Sequence, residues 1–306
     1  MKKVFVLRAK EDWICDRLVD EWTQWNGDIT TSNPVEADVL WILSEWCWKQ
    51  IPYALLQSKR VVVTIHHIVP EKFGQAELND FMMRDKVTDL YHVYNDIALQ
   101  FISKLTTKPI KLVHYWANNH FWQPTELGKY EYRKKYNIPM SGPTKVIGSF
   151  QRDTEGHDLI SPKLEKGPDL LVEFLKAYKQ KLELVRDNIH VVLAGWRRQY
   201  VIKGLQAAGI QYTYFERPPI EQIKELYQTL DFYVVSARCE GGPQALIECG
   251  LLGVPVISTP VGIATQVLPK DAVNVDLTQA IRAVPDVTSW HIPVAFEQYR
   301  KMFEDL

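Results

Sequence analysis

Short runs rich in Val, Ile and aromatic residues recur along the chain, and between them lie longer segments whose apolar positions return every three or four residues. The first pattern predicts strands and the second amphipathic helices, so their alternation predicts parallel sheets wrapped by helices. In the first part the strand candidates are "KVFVLRA", "ADVLWILS", "RVVVTIHH", "LYHVYN" and "IKLVHYW". The segment "EDWICDRLVDEWTQW" has helical period, with Trp13, Arg17, Asp20 and Gln24 on one face and Ile14, Leu18, Glu21, Trp22 and Trp25 on another. A polar stretch containing Pro124, Pro139, Gly142 and Pro143 predicts a linker. The pattern then restarts with the strand candidates "KVIGSFQ", "IHVVLAG", "IQYTYFE", "DFYVVSA", "VPVIST" and "AVNVD", and with helices beginning near Pro168, Arg197, Pro219, Pro243 and Thr278. Proline at a first helical turn costs nothing, because the missing N–H has no intrahelical partner there.

The expected architecture is therefore α/β, with two Rossmann-like domains at 1–142 and 143–306 facing across a cleft. The closing segment 287–306 reads as a helix free to pack back on the first domain. Sheets of this kind open their ligand crevices at the carboxyl ends of the strands, where the chemistry is expected.

Composition narrows the function. At 306 residues the chain is twice the usual domain size, which fits the two-domain division. A net charge of −1 gives no basic excess and disfavours a nucleic-acid partner. Cys15, Cys47, Cys239 and Cys249 lack metal-site or redox spacing and read as reduced thiols. The first apolar run ends at Arg8, too short for a secretory signal, and no run is long enough to span a membrane. The expectation is a cytoplasmic protein, with peripheral membrane contact left open. No G-x-G-x-x-G opens a strand-turn-helix unit, which disfavours a dinucleotide oxidoreductase.

The most informative stretch is "CEGGPQALIECGLLGVPVIS" at 239–258, where Glu240 precedes a Gly-Gly-Pro turn and Glu248 follows on a helix among apolar neighbours. A half-buried carboxylate needs a donor, and the hydroxyls of a bound ribose would serve. Gly241 and Gly242 sit at a helix start, whose positive end suits an anion or sugar oxygens. A structural role, dipole complementation by Glu240 and an unseen arginine for Glu248, fits these two residues equally well. Lys166, just before Gly167-Pro168, stands at the end of a helix where a cation is unfavourable unless an anion joins it. Arg152 ends the first strand of the same half and opens toward the same edge.

The block "EGGPQALIECGLLGVPVISTPVG" resembles the signature of retaining glycosyltransferases of family 4, an E-x7-E pair between a Gly-rich turn and a Gly-x-Pro-Val strand entry. "KVIGSFQR" and "KLEKGPDLLVEFL" are similar to that family's phosphate-binding segments, whereas the first half resembles it only through "VVVTIHH" and "VHYWANNHFWQP". The resemblance implies a GT-B fold and a nucleotide-sugar donor, with no metal and no other cofactor. It implies that Glu240 bonds the transferred sugar, Glu248 the ribose, and that Arg152 and Lys166 neutralise the diphosphate. The loop at Arg217 and Pro218 would read the base, and Gly262 would border the donor. His66, at the end of a strand, occupies the place of a histidine that contacts the transferred sugar. Trp46 is the aromatic candidate for the acceptor.

Three departures stand beside the match. An extra loop, "DTEGHDLI", separates Arg152 from Lys166 and would bulge out or cover the site; Ile263 and Gln266 replace a family Gly and Glu; and "RAKEDW" lacks the glycine-rich turn. The implied function is transfer to a glycan or lipid-linked acceptor, in polysaccharide biosynthesis. The alternative is a non-catalytic sugar-nucleotide-binding module, which keeps Glu248 and the cations but needs no His66.

Overall fold

A computed structural model describes residues 1–11, 14–140, 144–156 and 158–306. Trp13, Gly142 and Pro143, named above, lie outside the described residues. The chain forms two compact units, Met1–Asn118 with Ser289–Leu306, and Asn119–Thr288.

The first unit runs β1 (Val4–Val6), α1 (Ile14–Trp25), β2 (Val39–Ile42), α2 (Tyr53–Ser58), β3 (Arg60–Ile65), α3 (Gln75–Asp85), β4 (Leu90–Val93), α4 (Asp96–Ile102) and β5 (Ile110–Leu112). Its five strands are parallel in the order β1-β2-β3-β4-β5. On the other edge of β1, Thr30 makes a parallel bridge to Val4. The chain thus leaves β1 in one direction and returns in the other to lay down β2. With right-handed crossovers, that reversal sends α1 to one face and the later helices to the opposite one. On the face of the later helices, Leu40, Ile42, Val61, Val63 and Val93 pack with Leu56, Phe81 and Ile102.

The second unit runs α5 (Lys129–Lys135), β6 (Thr144–Phe150), α6 (Pro168–Glu183), β7 (Asn188–Ala194), α7 (Gln199–Ala207), β8 (Gln211–Phe215), α8 (Ile220–Tyr227), β9 (Phe232–Val235), α9 (Gln244–Leu252), β10 (Val256–Ser258) and α10 (Ala264–Val267). Its parallel sheet has the order β10-β9-β6-β7-β8. Leu171 and Leu175 of α6 and Val201 and Leu205 of α7 cover Ile147, Leu193 and Val234 of the sheet. The chain closes with α11 (Val294–Glu304), which belongs to the first unit. There Phe303 packs edge-on against Trp22 of α1 and lies 5.1 Å from Trp41 of β2 between ring centroids, and Tyr299 Oη donates to the His114 carbonyl at 2.7 Å. Trp22 and Trp41 are fully buried, each burial contributing roughly 1.5–3 kcal/mol.

The sequence-based division at 142 does not coincide with these units, because 119–140 pack with the second. Arg133 Nε of α5 donates to the Thr229 carbonyl at 2.8 Å and its guanidinium pairs with Asp231 at 2.9 Å. Two local expectations also change. "AVNVD" forms no strand, only a bridge from Val273 to Ser258, with Val275 turned to solvent; the helix expected near Thr278 is the single 3-10 turn Leu277–Gln279. Among the described residues, no helix is long and apolar enough to cross a membrane.

Candidate functional site

In the second unit β6 lies between β7 and β9, so strand order reverses there and the connections leave toward opposite faces, opening a crevice at the carboxyl ends. Three segments are tied together at that edge. Gln151, just past β6, donates from Nε2 to the Lys166 carbonyl at 2.9 Å, and Ser236, just past β9, donates to the same oxygen at 3.3 Å. The Glu165 carbonyl accepts from the backbone N–H groups of Arg238 and Cys239 at 2.8 and 3.0 Å. Gly167, the turn into α6, has φ +60°, and a Cβ built there would lie 1.8 Å from the Ser236 carbonyl oxygen. Only glycine allows the approach.

These ties bring Lys166 Nζ onto Glu240 Oε1 as an ion pair, with side chains 18% and 17% exposed. The backbone at 240–242 packs on Gly262, which has φ +53° and whose Cβ, if present, would lie 3.1 Å from the carbonyl oxygens of Glu240 and Gly241. Gly241 and Gly242 are buried by this contact. Pro243 caps α9 from just outside instead of opening it. Glu248 is buried on α9, and its Oε2 accepts from Tyr227 Oη at 2.7 Å. Burial first, then this carboxylate, holds the Tyr227 phenol well above its usual pKa. The donor sought for Glu248 from sequence is therefore supplied in the free protein by a tyrosine of α8.

Arg152 does not meet Lys166 in the way expected of two cations on one ligand. Its Nε donates to the Thr154 carbonyl at 2.8 Å, and its guanidinium leans toward the Trp196 ring, 5.4 Å from the centroid. Arg197 and Arg217 lie nearer the same ring, at 4.1 and 4.3 Å. Three cations from the loops after β6, β7 and β8 thus gather on one half-buried indole, whose π faces attract them. Burial, followed by the charge of Arg197, holds Arg152 below its usual pKa. Pro218 follows Arg217 directly and is half-buried.

The extra loop after Arg152 is anchored at its base. Asp153 and Arg198 form a salt bridge at 2.8 Å with both side chains fully buried, and the N–H groups of Asp153 and Thr154 donate to the Arg197 carbonyl. Gly156 and 158–161 are exposed.

In the first unit His66 follows β3 and is buried. Its Nε2 lies 2.8 Å from the Leu43 carbonyl, which can only accept, so Nε2 carries the proton and Nδ1 accepts from Tyr115 Oη at 3.0 Å. Cys15 Sγ is 3.7 Å from Nε2, its thiol pushed up to about 12 by burial. Trp46 lies on the turn Glu45–Gln50, 48% exposed, its ring 6.1 Å from that of His66. Among the described residues no group of three or more His, Cys, Asp and Glu is arranged to hold a metal.

Residues 162–284, which contain Lys166, Glu240 and Glu248, match the family model described as Glycosyl transferases group 1. The fold is of the GT-B type. Anabaena Alr3699/HepE, solved in complex with UDP and glucose, is similar to this chain at 12% identity over 100% of both chains, with a TM-score of 0.74. Sucrose-phosphate synthase from Thermosynechococcus elongatus is similar at 14% identity, covering 98% of this chain and 81% of its own, with a TM-score of 0.60. WaaG, a glycosyltransferase involved in lipopolysaccharide biosynthesis, is similar at 14% identity over 86% and 82%, also with a TM-score of 0.60. No curated protein matches the sequence.

Three residues of this candidate site carry little or no signal in the sequence pattern: Trp196, Arg197 and Tyr227. Trp196 and Arg197 follow "IHVVLAG", so their position at a strand's carboxyl end was a usable signal. Tyr227 carried none, since nothing in its neighbourhood announces a partner on α9.

Proposed function

We propose that the protein is a metal-independent, retaining glycosyltransferase that moves a sugar from a nucleotide-sugar donor to a glycan or lipid-linked acceptor. The observation that carries the reading is the Lys166–Glu240 pair at the strand-order reversal, inside the stretch similar to group 1 glycosyl transferases. Breaking the bond at the anomeric carbon builds negative charge on the departing diphosphate, and a fixed cation there favours the transition state.

In the free protein Lys166 already holds an anion, the carboxylate of Glu240. Donor binding exchanges that partner. The diphosphate takes Lys166, and the released Glu240 accepts from hydroxyls of the sugar. Arg152, with Arg197 and Arg217 on Trp196, adds positive charge on the nucleotide side, where the loop at Arg217 and Pro218 meets the base. Glu248 reaches a ribose hydroxyl while keeping Tyr227, since a carboxylate accepts more than one bond. The starts of α6 and α9, with Gly241 and Gly242, offer their positive ends to the same anion, and Gly262 keeps that turn compact.

The UDP and glucose in the HepE complex support UDP-sugars as the first donors to test, and WaaG's role supports a lipid-linked or polysaccharide acceptor. The free thiols Cys15, Cys47, Cys239 and Cys249 support a reducing compartment such as the cytoplasm. Peripheral membrane contact belongs to the proposal where the acceptor is lipid-linked.

A second reading, a non-catalytic sugar-nucleotide-binding module, is favoured by His66, whose two nitrogens are both engaged inside the first unit. Sugar contact by His66 requires Tyr115 or the Leu43 carbonyl to give way. Incubation with a panel of nucleotide sugars separates the readings: released nucleoside diphosphate supports the enzyme, and tight binding without release supports the module.

A further inference from the structure

At the carboxyl ends of β2 and β3, within the first unit, lies a hollow of about 420 Å³, inside the range of small-molecule sites. Glu45 and Trp46 from the turn after β2, Ile68 and Phe73 from the segment after β3, and Glu77 and Arg84 from α3 form much of its wall. Trp46 keeps nearly half its surface in solvent, yet its Nε1 is fixed by a 3.0 Å hydrogen bond to Glu11 Oε1, so the indole is held as an open platform. Glu45 Oε2 is buried and, among the described residues, accepts no hydrogen bond. A buried carboxyl oxygen without a donor is costly, and the other acids of the wall do not share the defect. Asp80 accepts from Lys49 and Trp48, and Glu77 from the Gly74 N–H at 3.0 Å. Burial pushes the Glu45 carboxyl up to about 7, against the opposing charge of Arg84.

The mixed wall selects the occupant. An acyl chain would strand Glu45, Glu77 and Asp80 against hydrocarbon, and a phosphate would meet three acids against two cations, Lys72 and Arg84, the second already paired with Asp80. A neutral polyhydroxylated ring satisfies both sides, with its C–H face on the indole and its hydroxyls as donors. We propose that this hollow seats a neutral pyranose, stacked on Trp46 and donating a hydroxyl hydrogen bond to Glu45. The terminal torsion of a glutamate is soft, so a small turn presents Oε2 to the ligand. That the pyranose is the acceptor's sugar rests on the glycosyltransferase reading; the seat itself does not.

The test is saturation-transfer NMR on the full chain with methyl α-glucoside, methyl α-galactoside and methyl N-acetyl-α-glucosaminide, alongside calorimetry with UDP. Trp46→Ala removes an exposed ring and leaves the core intact, while Glu45→Gln keeps an oxygen for the local backbone. At least one glycoside is expected to receive saturation from the wild type, to lose it in Trp46→Ala, and to bind about tenfold more weakly to Glu45→Gln. The inference is overturned if the wild type saturates no glycoside, or if saturation is unchanged in either variant. A protein that binds UDP but no glycoside sinks this inference alone. One that binds glycosides through Trp46 but neither binds UDP nor releases nucleoside diphosphate from any nucleotide sugar sinks the glycosyltransferase reading and leaves the hollow standing.

Discussion

Glu240→Gln is expected to tighten the binding of UDP, a ligand with the ribose and diphosphate of the donor but no transferred sugar. In the free protein the Glu240 carboxylate occupies Lys166, and both side chains are mostly buried. An incoming diphosphate must displace that carboxylate and then bear its charge nearby. A charge-assisted hydrogen bond between such groups is worth about 1.5 kcal/mol, above the 0.2–1 of exposed pairs and at the low end of strong charged bonds. Glutamine keeps the shape and removes the competition, so UDP affinity rises about tenfold. Lys166→Met removes the attraction and is expected to weaken UDP by a similar factor, and the double variant falls to the Lys166→Met level because no cation is left to compete for. Isothermal calorimetry on the four proteins reads all of this. Weaker or unchanged binding in Glu240→Gln refutes the exchange of partners at Lys166, and unchanged binding in Lys166→Met refutes the diphosphate assignment itself.

Gly167→Ala drives a methyl group into the Ser236 carbonyl and forces a non-glycine residue to positive φ; a loss of about 1–3 kcal/mol in chemical denaturation, with loss of UDP binding, is expected. Asp153→Ala leaves Arg198 charged and buried without its partner, and a loss of about 3–5 kcal/mol is expected in the same assay. Acid stability follows from two buried histidines, His92 in the first unit and His190 in the second, which burial holds down to about 3 and about 4. Their folded values lie below the unfolded value near 6.5, so the unfolded chain takes up protons first. Stability is full above roughly pH 6.5 and falls as pH drops toward 4, each histidine approaching about 1.4 kcal/mol per pH unit. Thermal melts from pH 8 to 4.5 test this, and His190→Asn is expected to reduce the slope.

Much of the fold was legible because parallel strands buried on both faces write themselves as Val- and Ile-rich runs. The ends of the chain's two halves were not. Segment 119–140 reads as a linker by composition, and its place in the second unit depends on contacts of Arg133 with Thr229 and Asp231, about a hundred residues away. "AVNVD" carries strand propensity, yet Val275 faces solvent and only Val273 meets the sheet. At the candidate site, Lys166 stands out in the sequence because a cation before a helix start is locally odd, and Glu240 through its spacing to Glu248 across a Gly-Gly-Pro turn. The Tyr227 partner of Glu248 and the crowding of Arg152, Arg197 and Arg217 on Trp196 come from tertiary packing of separate loops, which no local pattern records.

The most direct test incubates the purified protein with a panel of nucleotide sugars, UDP-sugars first, in the presence of a chelator and measures the nucleoside diphosphate released. Slow release that persists without divalent cations and stops in Lys166→Met is expected. No release from any nucleotide sugar, or release equal in Lys166→Met and wild type, contradicts it.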